Sequence, residues 1–435
     1  MKSNLKLLAL AVAAACAPGV ALATNGYFSH GEGVKAQGMG GVGIALPQDS
    51  IAAATNPAGM AFVGDRFDLG LTWFQPSRSA TISGMPDFGP GFPSLNGTYD
   101  GDDKSNFFIP EVGYNRTLGK DWTLGVSIYG NGGLNTSYTT PIPLFGSSNA
   151  GVDLSQMFIA PTATYKLAPD HALGLVLNVA FQRFEATGLE NFDNPVSSQS
   201  PGKVTNNGYD NSWGFGVRIG YTGRLTDAFT VGATYQTKTS MQKFDKYKGL
   251  FANQGEFDIP ANFGVGFAWK PVPAATLAFD VVRIQYSSID AIGNPLLPNL
   301  TQAQLGANGG PGFGWDDVTA YKFGVDYAFD AAFTLRAGYN YGKQPIPASE
   351  TLFNVLAPGA VESHYTLGGT WNLDKSNEIN FAFMYAPKVT VNGTGAIPTA
   401  ILFQNFLPPG YVPPNGNADI SLQEFSFGVA WGWKF

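Results

Sequence analysis

Cysteine is almost absent: the 435-residue chain has one, Cys16, and it lies in a stretch with the marks of a secretory leader. Lys2 and Lys6 precede an apolar run from Leu7 to Ala15, and Ala21-Leu22-Ala23 supplies the small residues of a cleavage site, so residues 1–23 are expected to be removed after Ala23. The alternative is lipidation at Cys16, which follows three alanines. With Ala23 as the cut, the mature chain has no thiol, which excludes disulfides, thiol catalysis and thiolate metal sites. Long hydrophobic runs are missing too. No stretch beyond the leader reaches the ~18 apolar residues of a spanning helix. Charge is sparse, at 13% Asp, Glu, Lys and Arg, and removing Lys2 and Lys6 from the 25 basic residues leaves 23 against 32 acidic ones, a net charge near −9. With no basic run, nucleic acid is excluded as a partner. Histidine is limited to His30, His171 and His364, never closely spaced, so neither a hydrolase built on a Ser-His pair nor a histidine metal site is supported, and no cofactor is expected.

Aromatic residues, glycine and a period of two are abundant. In "QEFSFGVAWGWKF" the residues Phe425, Phe427, Val429, Trp431, Trp433 and Phe435 share one face, while small or polar residues take the other. Comparable segments recur at roughly 67–83, 106–117, 122–138, 152–167, 172–187, 207–222, 229–244, 255–270, 274–287, 315–329, 333–342, 361–373, 377–386 and 421–435. An even count closes an antiparallel barrel. The links alternate short, as at 118–121, 168–170, 223–228, 271–273, 330–332 and 374–376, with long Gly, Pro and Asn-rich stretches such as 188–206, 288–314, 343–360 and 387–420. Short periplasmic turns and long external loops are the rhythm of outer-membrane barrels. Trp122, Tyr165, Tyr221, Trp269, Tyr327, Trp371 and Trp433 fall at strand ends beside short turns or the C-terminus, as an interfacial girdle requires. A secreted β-sandwich or propeller with aromatic cores is the competing fold; it explains neither the loop rhythm nor a terminal Phe435. The fold expected is therefore all-β, a 14-stranded antiparallel transmembrane β-barrel over residues 64–435 in the outer membrane.

Residues 24–63 do not alternate, and form a glycine-rich segment ending in "PQDSIAAATNPAGM". Asp49 or Ser50 can cap a helical turn through Ala54, and Pro57 biases Asn56 out of a helix. A plug inside the lumen is its expected place. Gly38-Met39-Gly40-Gly41-Val42-Gly43 matches G-x-G-x-x-G but lacks the strand, helix and acidic residue of a dinucleotide site.

The Asn25-Gly26-Tyr27 start, Asn56-Pro57-Ala58, the "FIPEVGYNRTLGKDWTLGVSIYGNGGLNTSY" region and the C-terminal strand together resemble the long-chain fatty-acid transporter (FadL-like) family of outer-membrane proteins. The resemblance implies a fourteen-stranded barrel, an N-terminal hatch carrying Asn56, Pro57 and Ala58, uptake of hydrophobic compounds, and a kinked third strand. Gly130-Asn131-Gly132-Gly133 interrupts the third strand here and marks a candidate lateral gate; glycines kink a strand at little steric cost, though a plain barrel corner uses them equally.

Three cations, Arg218, Lys322 and Arg336, have inward parity; one of them can hold a fatty-acid carboxylate, or all can pair with Asp326, Glu185 or other wall acids. Leu352, Phe353, Leu402, Phe403 and Phe406 lie in unusually apolar loops and are candidates for an outer greasy groove, with loop packing or lipopolysaccharide contact as the alternative. The partners expected are a hydrophobic small molecule, most simply a long-chain fatty acid, outer-membrane lipid with lipopolysaccharide, and the barrel-assembly machinery acting on Phe435; the chain is expected to be a monomer. A general water-filled porin shares the barrel and the leader, but its constriction is polar and charged, and a plug obstructs free diffusion. Aromatic hydrocarbons remain an alternative substrate.

Overall fold

The computed structural model describes residues 25–87, 93–297, 299–403, 407 and 410–435; the expected leader, residues 1–23, lies outside them. Fourteen long strands run along the chain: β1 (Arg66–Ser83), β2 (Phe107–Leu118), β3 (Trp122–Ser137), β4 (Gly151–Ala168), β5 (His171–Thr187), β6 (Asp210–Thr226), β7 (Phe229–Gln236), β8 (Asn262–Val272), β9 (Ala275–Ile284), β10 (Val318–Ala328), β11 (Phe333–Gly342), β12 (Ser363–Asn372), β13 (Asn377–Val391) and β14 (Asn417–Lys434). Each pairs antiparallel with the next. β14 then pairs with β1 from Arg66↔Lys434 to Ser83↔Asn417, so the sheet closes and has no outer edge. Two short strands, Gly97–Asp100 and Ser240–Met241, are added at the mouth against β1 and β6.

The outer surface explains the composition. Large apolar side chains stand exposed in alternation along every wall, Phe215 and Leu367 at 60% among them, while their neighbours are buried toward the lumen. Such a band tolerates only lipid. Rings meet across strands at the turn end, with Trp122 on Tyr165 at 4.9 Å and Phe333 stacked on Trp371 at 5.9 Å. A second set lies toward the loops, where Phe181 meets Trp213 at 4.9 Å and Tyr339 meets Tyr365 at 5.2 Å.

Strand number and short turns follow the sequence reading; the two largest departures in boundary lie between β7 and β8. β7 stops at Gln236 and β8 begins at Asn262, where strands to 244 and from 255 were expected. The apolar residues between them, Phe244, Tyr247, Phe251 and Phe257, turn inward and bury one another over the barrel mouth.

Candidate functional site

Residues 25–64 are held by side chains from strands all around the ring. The segment has little regular structure: one helical turn, Val34–Gln37, and two 3-10 turns, Ala52–Ala54 and Pro57–Phe62. Its backbone donors are met by the wall instead. Val34 N–H donates to Glu111 of β2 at 3.0 Å; Gly43 and Ile44 N–H donate to Asp280 of β9 at 2.8 and 3.0 Å; Ser50 N–H donates to Asp68 of β1 at 2.9 Å. Lys35 pairs with Glu378 of β13, which also receives Arg66 at 2.7 Å and Lys434 at 2.6 Å. The G-x-G-x-x-G stretch is a fit of backbone on backbone: a Cβ at Gly40 would come within 2.7 Å of the Phe323 carbonyl oxygen, and one at Gly338 of β11 within 2.1 Å of the Gly40 nitrogen.

Asn56 is an extended N-cap whose Oδ1 accepts the Ala58 N–H at 3.1 Å, as Pro57 in the following position favours. Its Nδ2 reaches the Ile44 carbonyl at 2.7 Å, the Tyr221 carbonyl at 2.9 Å and Thr222 Oγ1 at 3.1 Å. The Thr164 hydroxyl of β4 donates to the Pro57 carbonyl at 2.7 Å. Asn56, Pro57 and Ala58 therefore tie the segment to β4 and β6 near their turn ends.

The third strand parts from the second while staying paired with the fourth. Pairing of β2 with β3 ends at Val112↔Ile128, although β2 continues back to Phe107 and β3 on to Ser137. From Ser127 to Thr136 both faces of β3 are buried, where a lipid-facing strand would alternate. The pairing with β4 slips between Gly130 and Gly132, leaving Asn131 as the extra residue of a bulge. The N-terminal segment takes up the freed edge: Ser29 N–H donates to the Asn131 carbonyl at 3.3 Å and Gly133 N–H to the Tyr27 carbonyl at 3.1 Å. Gly132 is required by this approach, since a Cβ there would lie 2.0 Å from the Tyr27 oxygen. Asn131 donates to Gln156 at 3.0 Å, which donates to Gln182 at 3.1 Å, so the bulge is anchored in a polar ladder. Above the break, Arg78 grips Asp102 at 3.0 Å and the Asn135 carbonyl at 2.6 Å. Between the Val112↔Ile128 pair and the Arg78 clasp, β2 and β3 therefore share no ladder hydrogen bonds.

Arg218, Lys322 and Arg336 are all buried and inward, and all bind the N-terminal segment. Arg218 donates to the Thr55 carbonyl at 3.0 Å and Gln236 at 2.6 Å; Lys322 to the His30 carbonyl at 2.8 Å; Arg336 to Gln48 at 3.1 Å and Asp326 at 3.0 Å. His30 stacks on His364 of β12 at 5.8 Å, and its Nε2–H donates to the Gln37 carbonyl at 3.2 Å. Burial pushes the His30 imidazole down to about 4.

Two spaces among the loops share Phe192, and a separate one of about 520 Å³ is lined by Arg283, Asp316, Asp317 and Lys343 among others. An outer vestibule of about 860 Å³ is lined by Leu95, Leu144, Glu190, Phe192, Leu402 and Phe403 among others. Adjoining it, a chamber of about 30 Å³ is walled, among the described residues, by apolar residues alone, including Phe145, Phe192, Phe251 and Phe353. Of the groove residues expected from sequence, Leu402 and Phe403 line the vestibule and Phe353 the chamber; Leu352 is fully buried and lines neither, and Phe406 lies outside the described residues. Sequence reasoning missed Phe192, Glu190, Glu111 and Asp280. The last two were accessible as rare acids at inward parity; the first two sit in an aperiodic loop.

Residues 10–399 match the family described as outer membrane protein transport protein (OMPP1/FadL/TodX). The chain belongs to this family. It is 22% identical over 408 residues to a long-chain fatty acid transport protein of Salmonella typhi, covering 85% of this chain and 88% of that protein, and 23% identical over 413 residues, with the same coverage, to its namesake in Escherichia coli O157:H7. Its fold is similar to that of the Pseudomonas putida toluene transporter TodX, with a TM-score of 0.68 at 18% identity covering 93% of this chain and 99% of the other. A Pseudomonas aeruginosa FadL homologue gives 0.67 at 15% identity, covering 94% and 100%. The OMPP1/FadL/TodX membership and the lipid-facing band together make this chain an outer-membrane barrel that transports hydrophobic compounds.

Proposed function

We propose that this transporter moves hydrophobic molecules passively from the cell exterior into the outer membrane itself, by capture in the loop vestibule, passage into the apolar chamber, displacement of the N-terminal hatch and exit sideways between β2 and β3. The observation that carries the reading is the end of the β2–β3 ladder at Val112↔Ile128 with Tyr27–Ser29 seated on the freed edge of β3. A hydrophobic molecule released there enters lipid without crossing periplasmic water, and the hydrophobic effect favours that step. Aromatic contacts connect chamber and seam: Phe251 of the chamber lies 4.8 Å from Phe257, and Phe257 6.3 Å from Tyr27. The hatch blocks the lumen to free diffusion, which counts against a water-filled porin. Relatives named for long-chain fatty acids and a structural neighbour named for toluene both support a hydrophobic cargo. The barrel-assembly machinery acting on the terminal Phe435, and lipopolysaccharide around the loops, complete the expected partners.

The test is uptake of radiolabelled hydrophobic compounds by cells lacking their own transporter, supplied with the chain intact or with Gly130→Val, Gly132→Thr and Gly133→Val together. At equal folded barrel, uptake is expected from the intact chain and lost in the variant, whose three added side chains occupy the exit even where the Gly132 branch pushes Tyr27 away. Equal uptake by both would make the glycines a corner and sink lateral release.

A further inference from the structure

The charges along the entry route discriminate between classes of hydrophobic cargo. Among the described residues the vestibule has one charged lining side chain, and it is an acid, Glu190. Burial raises this carboxyl, but hydrogen bonds from Ser148, its own backbone and Asn206 outweigh that and hold it below its ordinary value, so it is an anion at neutral pH. The adjoining chamber has no polar lining side chain among the described residues. Phe192 belongs to both spaces, and forms the partition between them with Phe145 at 5.8 Å and Phe353 at 5.6 Å, the latter edge-on at 82°. At about 30 Å³ the chamber has room for only about two waters. With an apolar lining it stays dry, and cargo enters by swinging these rings aside.

Farther in, the cations are committed. Arg218, Lys322 and Arg336 bind the Thr55, His30 and Gln48 oxygens of the hatch, and Arg78 binds Asp102 and Asn135. A carboxylate on this route would face the Glu190 anion, surrender its hydration in a chamber with no donor, and compete for cations whose release would unpair the hatch.

Resting on the transport reading above, we infer that the cargo is uncharged: an apolar hydrocarbon, aliphatic or aromatic, admitted past Phe192, and not a fatty-acid carboxylate. Dodecane and laurate share a chain length and differ in the charged end, and toluene tests the compact aromatic case. In cells lacking their own hydrophobic-uptake proteins, at pH 7 where laurate is ionised, the intact chain is expected to raise uptake of labelled dodecane and toluene at least tenfold over empty vector and to leave laurate at the vector level. Leu250→Trp, at the half-buried edge of the chamber, fills it and is expected to cut hydrocarbon uptake at least tenfold at equal folded barrel; Leu305→Phe, on another loop, provides a second filling variant. Laurate uptake equal to that of dodecane overturns the inference while leaving hydrophobic transport standing. No uptake of any of the three overturns the transport reading itself. Hydrocarbon uptake indifferent to both filling substitutions overturns the route past Phe192.

Discussion

Replacing Gly132 with alanine tests the contact on which lateral release turns. The added carbon would sit 2.0 Å from the Tyr27 carbonyl oxygen and 3.0 Å from its carbon, well inside van der Waals contact, and both are backbone atoms that no rotamer change removes. The N-terminal strand must therefore back away from β3, losing the Ser29 N–H to Asn131 and Gly133 N–H to Tyr27 bonds. Two neutral hydrogen bonds of about 1 kcal/mol each make about 2 kcal/mol, which is a factor of about 30 in the docked-to-undocked ratio. Amide hydrogen exchange on the purified barrel in detergent reads this directly: protection at Ser29 and Gly133 is expected to fall about 30-fold, while amides of the β14–β1 ladder such as Leu71 and Val429 are unchanged. Equal protection at Ser29 and Gly133 in the variant and the parent would refute the argument that Gly132 is required by the approach of the N-terminal strand.

Asn56→Ala removes three donated bonds and a helix cap, and is expected to loosen the hatch by about 2–4 kcal/mol, seen as faster proteolysis within residues 25–64 with the barrel still resistant to unfolding on a gel. His30 carries an acid dependence. Its imidazole titrates at about 4 when docked and near 6.5 when free, so docking favours the neutral ring; that stability is full above pH 6.5 and is lost as pH falls toward 4. The loss is about 3 kcal/mol, and the protection of the Ser29 amide, taken relative to the intrinsic exchange rate at each pH, should fall between pH 6.5 and 4 in the parent but far less in His30→Gln. Asp49, pushed up to about 6 first by burial and then by Asp68, contributes the opposite slope, which Asp49→Asn should unmask as a steeper acid loss. Glu378→Ala leaves the buried Lys35 and Arg66 short of their shared acid, and is expected to destabilise the barrel by about 3–5 kcal/mol, measured as a lower temperature of gel-shift unfolding.

The wall was legible in the sequence because lipid on one side and a packed lumen on the other impose a strict period of two, and Phe425 to Phe435 display it without interruption. The same signal misled at 237–261, where Phe244 and Phe257 alternate like strand residues but bury themselves over the mouth; periodicity reports burial on one side, not what does the burying. The break in β3 was legible from its glycines. The particular need for Gly132 was not, because it is set by Tyr27, far away in sequence and brought near only by the path of the hatch. Inward parity likewise located Arg218, Lys322 and Arg336, but the oxygens they bind belong to a segment with no periodic pattern. Leu352 and Leu402 look alike as apolar loop residues, and only the folded loops decide that one is core and the other lines the vestibule.

The bonding of residues 25–64 is uneven, and this indicates which part moves. From Val34 onward the segment is tied to Glu111, Asp280, Asp68, Asn115 and Glu378, several of these contacts charge-assisted and fully buried. Such bonds contribute about 1.5–3 kcal/mol each. Residues 25–29 are joined to the rest through two backbone bonds to β3, the Tyr286 hydroxyl, which accepts from the Tyr27 and Phe28 amides at 3.2 and 3.3 Å and donates to the Asn25 carbonyl at 2.5 Å, and ring packing of Tyr27 on Tyr286 and Trp315. On the lateral-release proposal, displacing those five residues would uncover the β3 edge and leave the remainder in place as a floor against leakage. A mature barrel lacking only Asn25–Ser29 should therefore take up cargo at least as fast as the parent, yet remain closed to small hydrophilic solutes; admission of those solutes would mean that the whole segment, and not its first turn, is what opens.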